Sequence, residues 1–159
     1  MTTMDEEFQD FIDFDSYKNP EVTKMILLHS RLKTFNNWPF DKIEGSKCNS
    51  YELAKTGFVM TSNDISAPSA RCICCLKHLM WEAEDVPQDE HIRIMPFCAL
   101  ANILAKKKEV NMTVRDVMHI LAMREVTNGI TSQLNRDVEM IRSAVKYNDD
   151  FVKKAMKKL

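Results

Sequence analysis

Glycine is scarce in this chain, three residues in 159, and proline supplies only five. No glycine-rich loop that could cradle a phosphate occurs, and there is neither a nucleophile elbow nor a metalloprotease motif. Long apolar runs are missing as well. None approaches the roughly 18 residues that a membrane span needs, and the start, MTTMDEEFQD, is acidic where a secretion signal is basic. The chain is therefore expected in the reducing cytosol or nucleus. Neither sign of charge is in excess: the net is −1, so nothing global draws the chain to nucleic acid or an anionic membrane. Internal repeats and low-complexity segments are also lacking.

What charge there is lies unevenly. The first 20 residues hold six acids and one Lys, and the last 14 hold five Lys and two Asp. Both termini are expected to be solvated, with residues 1–18 forming an acidic extension. The cysteines are grouped too. Five occur, Cys48, Cys72, Cys74, Cys75 and Cys98, an odd number with three packed into four positions. In a reducing compartment that pattern points to metal ligation rather than disulfides.

Cys72 and Cys75 form a C-x2-C pair, the usual way for two thiolates to grip one tetrahedral ion. His91 follows after fifteen residues and Cys98 after six more. Three thiolates and one imidazole leave no open coordination position, so such a site is structural and not hydrolytic. Cys74 would close a poor C-x-C chelate with Cys72 and is assigned to packing, as is Cys48. His29, His78 and His119 are read as ordinary surface or core residues. From spacing alone, four buried residues without a metal remain the alternative.

Local signals supply an outline. Asn19-Pro20-Glu21 is a helix start, after which Val22, Met25, Ile26, His29 and Leu32 fall at helical spacing on one face. Trp38-Pro39 and the polar stretch to Asn49 read as loop. Ser50 is placed to cap a helix over 51–56 that Gly57 ends. Residues 58–61 and 70–73 are two strand candidates separated by the turn-rich SNDISAPS, and 87–91 and 99–106 look like short helices. From Thr113 the texture changes. Thr113-Val114-Arg115-Asp116 has the form of a capping box, and no Pro follows. One long helix is expected, roughly 70 Å if unbroken at 1.5 Å per residue. Its weak point is Asn128-Gly129, a favoured turn pair.

Arg31-Leu32-Lys33-Thr34-Phe35, Trp38-Pro39, Leu53-Ala54, Gly57-Phe58, Cys72-x2-Cys75, Trp81, Pro87, Glu90-His91 and Pro96-x-Cys98 follow one another in the order and approximate spacing of a baculoviral inhibitor-of-apoptosis repeat (BIR) domain. The chain resembles that family over about residues 20 to 100. The resemblance implies an α+β fold: a small zinc-binding domain at 19–106, built of a three-stranded antiparallel sheet with short helices. A long C-terminal α-helix at 112–159 follows. It also implies one structural zinc on Cys72, Cys75, His91 and Cys98, and no enzymatic activity.

With a single repeat, no ring finger and a long helix, the layout resembles the chromosomal passenger members of the family. That implies an adaptor in mitosis and cytokinesis, at chromosomes and the spindle midzone in dividing cells and in the cytoplasm otherwise. In the family a groove takes the free N-terminus of a peptide, usually alanine first. Asp85, four residues after Trp81, matches the acid that receives the ammonium, and Leu79 matches a groove-lining position. Lys77 matches a lysine that faces a phosphothreonine in passenger members, and Glu90 would add to the negative field. An N-terminal peptide such as a histone tail is the implied ligand. The chain also departs from the pattern. One residue is missing between Cys75 and Trp81, Met80 stands where passenger members have an acid, Val86 replaces a second Asp, and Ile94 replaces a donor His. These changes weigh against a phosphate pocket.

Ile130, Leu134, Val138, Ile141, Val145, Val152, Met156 and Leu159 recur at three- and four-residue steps, with Asn148 the one polar member. That is a coiled-coil seam, in which a buried Asn fixes register. The passenger resemblance implies borealin-like and inner-centromere-protein-like helices as its partners, with a homodimer when they are absent. The rival is an apoptosis regulator that binds caspases or their alanine-tailed antagonists. A third reading is a decoy with the fold and neither ligand.

Overall fold

The computed structural model describes residues 18–156. Residues 1–17 of the acidic extension lie outside the described residues, as do 157–159 and the side chains of Asp150, Val152, Lys154 and Ala155. The chain divides into two units, Met1–Thr127 and Asn128–Leu159.

The first unit begins as the sequence suggests. Asn19 caps α1 (Pro20–Lys24) by accepting the Glu21 amide on its side chain at 2.9 Å, with Pro20 at the first helical position. The expected helical face through Leu32 is interrupted, however. The chain breaks at Met25–Leu27 and restarts as α2 (Leu28–Leu32). Bonds to the two partners of an ion pair, the buried Arg31 and the half-buried Glu109, replace the missing helical bonds. The fully buried Arg31 guanidinium takes the carbonyls of Met25 at 2.9 Å and Ile26 at 2.5 Å, and the Leu28 amide donates to the Glu109 carboxylate at 2.8 Å. Two helices of five residues result.

Trp38 is core, its indole N–H donating to the Cys48 carbonyl at 2.8 Å and its ring set edge-on to Phe35 and Phe40. The next helix, α3 (Ser50–Lys55), is capped by Asn49 and not by Ser50: the Asn49 side chain accepts the Glu52 amide at 2.9 Å. Ser50 is instead the first helical residue, and its amide donates to Asp41 at 2.7 Å. Gly57, at φ +98°, turns the chain out of the helix in a conformation that suits glycine.

Three antiparallel strands follow in the order β1 (Phe58–Ser62), β2 (Ser69–Cys72), β3 (His78–Met80), with a bulge at Thr61. The third strand, which the resemblance implies, has no period-2 signal of its own. Pairing with β2 creates it. Next come α4 (Pro87–Ile94) and α5 (Ala99–Lys106). The long helix α6 (Val114–Met156) passes through Asn128 and Gly129 without a break. Its capping box forms reciprocally: Thr113 Oγ accepts the Asp116 amide at 3.3 Å, and Asp116 accepts the Thr113 amide at 2.7 Å. Ile120 and Leu121 are buried with Leu53, Phe58 and Leu100 in one core, so the start of this helix is part of the first unit. Among the described residues no helix is long and apolar enough to cross a membrane.

Candidate metal centre and groove

Four elements deliver one donor each to a single point. Cys72 ends β2, Cys75 lies in the turn that follows, His91 stands in α4, and Cys98 is the N-cap residue of α5. Their ligand atoms all lie within 4.8 Å of one another, and all four residues are buried. Cys72 Sγ is 3.9 Å from Cys98 Sγ, and Cys75 Sγ is 3.5 Å from His91 Nε2. The turn reverses after Cys75 because Leu76 adopts φ +57°, and the Lys77 carbonyl then accepts the Cys72 amide at 3.0 Å.

The surroundings fit a cation. His91 Nδ1 meets the Thr56 carbonyl at 3.1 Å; as the donor there, it leaves Nε2 lone-paired toward the thiols. The Cys74 amide donates to Cys72 Sγ at 3.3 Å, which favours thiolate over thiol. Without a positive charge the donors conflict. Burial, and hydrogen bonds with Cys75 and Cys98, drive the Cys72 thiol far above its ordinary value. Hydrogen bonds from Cys72, Cys74 and Cys75 push Cys98 far below its own. Burial pulls the His91 imidazole down, but the Cys75 and Cys98 sulfurs outweigh it and raise it to about 9. A divalent ion removes the conflict by stabilising all three thiolates together. Cys74 is not a member: its Sγ meets the Ile120 carbonyl at 3.6 Å, in keeping with a packing role. Cys48 is likewise core, and burial raises its thiol to about 12.

The residues expected to receive a peptide lie just before β3 (Lys77), in it (Leu79), in the turn beyond it (Trp81 and Asp85) and on α4 (Glu90 and Ile94). Lys77 is exposed, and Leu79 is half-buried against the core. Trp81 is only 3% exposed, its ring edge-on to Phe58 at 4.9 Å, and its buried indole N–H has no hydrogen-bond partner. Asp85 accepts the Glu82 amide at 2.8 Å on one oxygen; a carboxylate has acceptor capacity beyond one such bond. Glu90 forms an ion pair with Arg93, whose hydrogen bond lowers the Glu90 carboxyl below the ordinary range. Ile94 is half-buried at the end of α4 and has no polar donor. Phe58 joins the two regions, since its ring also lies 4.6 Å from that of His91.

In the second unit, Ile130, Leu134, Ile141 and Val145 are 55 to 63% exposed. Val138 is half-buried, and the side chain of Val152 lies outside the described residues, as does Leu159. A further row went unread in the sequence: Met140, Tyr147 and Phe151 are also exposed, with Ala144 between them. At 100° per residue this row is centred roughly 120° around the helix from the first. Its signal was the same three- and four-residue spacing, offset by one or two positions.

Comparison with known proteins agrees with this geometry. The family profile described as BIR, Inhibitor of Apoptosis domain, matches residues 31–102. Baculoviral IAP repeat-containing protein 5.2-A of Xenopus laevis is 34% identical over 125 residues, covering 78% of this chain and 76% of its own. Baculoviral IAP repeat-containing protein 5 of Mus musculus is 31% identical over 117 residues, 73% and 80% of the two chains. The Cavia porcellus protein of that name is 29% identical over 142 residues, 88% and 93% of the two.

Proposed function

The chain belongs to the BIR family, and from that premise we propose that it is a non-enzymatic adaptor of the survivin type. It would carry one zinc ion on Cys72, Cys75, His91 and Cys98 and join the chromosomal passenger complex through α6. The ion performs no chemistry in this reading. Its role is to tie β2, the Cys75 turn, α4 and α5 together, which lets a small domain hold its groove in shape.

One observation carries the adaptor reading. The second unit exposes Ile130, Leu134, Ile141 and Val145 on one side of the helix and Met140, Tyr147 and Phe151 on another. So much apolar surface on one helix is a liability unless other chains cover it. Two rows set apart around the axis suit a bundle with more than one partner helix, such as borealin-like and inner-centromere-protein-like helices. Chromosomes and the spindle midzone are the locations that follow from that assembly.

The groove would receive an N-terminal peptide such as a histone tail, its ammonium at Asp85 and its first side chain near Leu79 and Trp81. Lys77 alone faces a phosphate in this reading, because Ile94 provides no donor. The apoptosis reading retains one specific support, the Inhibitor of Apoptosis profile over 31–102.

Leu134→Glu combined with Ile141→Glu tests the assembly. Purification from dividing cells should recover partner helices with the parent chain and none with the double variant, at equal zinc content. Recovery of caspases alone would favour the rival, and unfolding of the zinc domain by the double variant would make the row internal packing. Titration calorimetry with free, acetylated and phosphorylated forms of one histone-like peptide tests the groove. Acetylation and Asp85→Ala should each remove most of the affinity. Phosphorylation should add about fivefold or less, the worth of one screened lysine.

A further inference from the structure

β3 is an edge of the sheet, paired with β2 alone. The Lys77 carbonyl accepts the Cys72 amide and the Trp81 amide donates to the Pro68 carbonyl, both at 3.0 Å. Backbone groups alternate along an antiparallel strand, so Lys77, Leu79 and Trp81 turn theirs toward β2. His78 and Met80 turn theirs to the open side. An extended peptide can pair with those two residues as a fourth strand. Side chains alternate as well. Ser69 pairs with Met80 and Arg71 with His78, so these four share one face of the sheet, opposite to that of Ala70 and Leu79.

The open end of that face is basic. His78 and Arg71 are both exposed and stand directly opposite each other. Thr61 Oγ meets His78 Nε2 at 2.8 Å and Ser69 Oγ at 3.0 Å, which fixes the imidazole on the sheet and leaves Nδ1 for a ligand. The three strands contain no acidic residue. Glu21, which lines the cleft beside Arg71, is ion-paired with Lys24. Arg124 also approaches Arg71, but Glu125 is beside it and its guanidinium donates to the Ile73 carbonyl, so the basic groups open to a ligand are Arg71 and His78.

A peptide with its ammonium at Asp85 and its first side chain by Trp81 and Leu79 runs antiparallel to β3. Its second residue then lies opposite Met80 and its fourth opposite His78. Residues directly opposite in such a pair point to the same face, so the fourth side chain stands one strand spacing, about 4.8 Å, from His78 and two from Arg71. The third points to the other face, with Leu79 and Lys77. Resting on the groove reading given above, we propose that the groove selects an acidic residue at position four of an alanine-first peptide, and that His78 and Arg71 determine the choice. The ligand class is an N-terminal tail with Asp or Glu fourth, its carboxylate accepting from the imidazole and the guanidinium.

Titration calorimetry of the zinc-loaded full chain tests this, with alanine-first hexapeptides identical but for Glu, Gln or Lys at position four. Glu should bind about three- to fivefold tighter than Gln, and Lys more weakly than Gln, the size of a partly screened charge effect. Arg71→Glu should abolish or reverse that order at unchanged zinc content. Because Arg71 adjoins Cys72, His78→Glu makes the same test from the neighbouring strand and should act alike. If none of the peptides binds, or binding ignores acetylation of the amine, the groove reading fails and the proposal with it. Amine-dependent binding with Lys preferred, or with no preference at position four, overturns the charge selection alone. So does a preference for Glu that survives both reversals, or that only Lys77→Glu removes.

Discussion

Arg31 and Glu109 are 78 positions apart in the sequence, yet the Arg31 guanidinium donates to the Glu109 carboxylate at 2.9 Å from a site with no solvent exposure. The same guanidinium donates to the Ala54 carbonyl at 2.7 Å, so one side chain joins α2, α3 and the segment after α5. Burial lowers the arginine pKa, and the Glu109 charge opposes that effect. Glu109→Gln should therefore destabilise the zinc-loaded protein by about 1–3 kcal/mol, below the range for a fully buried pair because Glu109 is partly exposed. The midpoint of urea unfolding measures it. A variant as stable as the parent would mean that Arg31 is satisfied by carbonyls alone.

Metal analysis of the purified chain should find one zinc per molecule, and Cys98→Ser should abolish both binding and folding. Structural zinc contributes about 10–16 kcal/mol of apparent binding energy in small domains, more than a core of this size has in reserve. Circular dichroism before and after chelation is the check. A metal-free sample with the native spectrum contradicts the assignment.

Adding one methyl group should have opposite effects at two glycines. Gly129 lies inside a continuous helix, so Gly129→Ala should stabilise by about 0.5–1 kcal/mol. Gly57 has φ +98°, and a Cβ there would stand 2.5 Å from Leu100 Cδ2, so Gly57→Ala should destabilise by more than about 1 kcal/mol. Thermal melts of the two variants decide this together.

Asp116 offers a test by pH. Hydrogen bonds from Lys107, then from the backbone and hydroxyl of Thr113, hold its carboxyl well below the ordinary 3.8. A depressed carboxyl lends stability in full above its unfolded-state value and loses it as pH falls through and below 3.8. Asp116→Asn should thus lower the unfolding midpoint by a constant amount between about pH 6 and 8, where the group is ionised throughout. An effect that shrinks toward the acid end of that window would show the carboxyl titrating near neutrality.

The donor cluster was legible because C-x2-C constrains two sulfurs before any fold is known and His91 and Cys98 follow it at short spacing; the resemblance then strengthened the same four residues. The capping box at Thr113 and Asp116 was legible for the same reason, since both partners lie within one turn. The break at Met25–Leu27 was not. Val22 to Leu32 has helical periodicity, and what overrides it is Arg31 meeting a carboxylate from far along the chain. Leu76 at positive φ left no trace either, being a leucine in a conformation that glycine or asparagine usually signals. The strand His78–Met80 exists through its pairing with Ser69–Arg71 and carries no pattern of its own. The Met140, Tyr147 and Phe151 row was present in the sequence but hidden behind the stronger stripe.

Phe58 touches the imidazole of His91 on one side and the indole of Trp81 on the other. The two rings belong to different tasks, one to holding an ion and the other to the surface where a peptide is proposed to land. Any coupling carried through that shared ring is reciprocal, so a peptide that raised metal affinity by some factor would be bound more tightly by the same factor when the metal is present. With positive coupling, chelation would weaken peptide binding at a surface the chelator never touches.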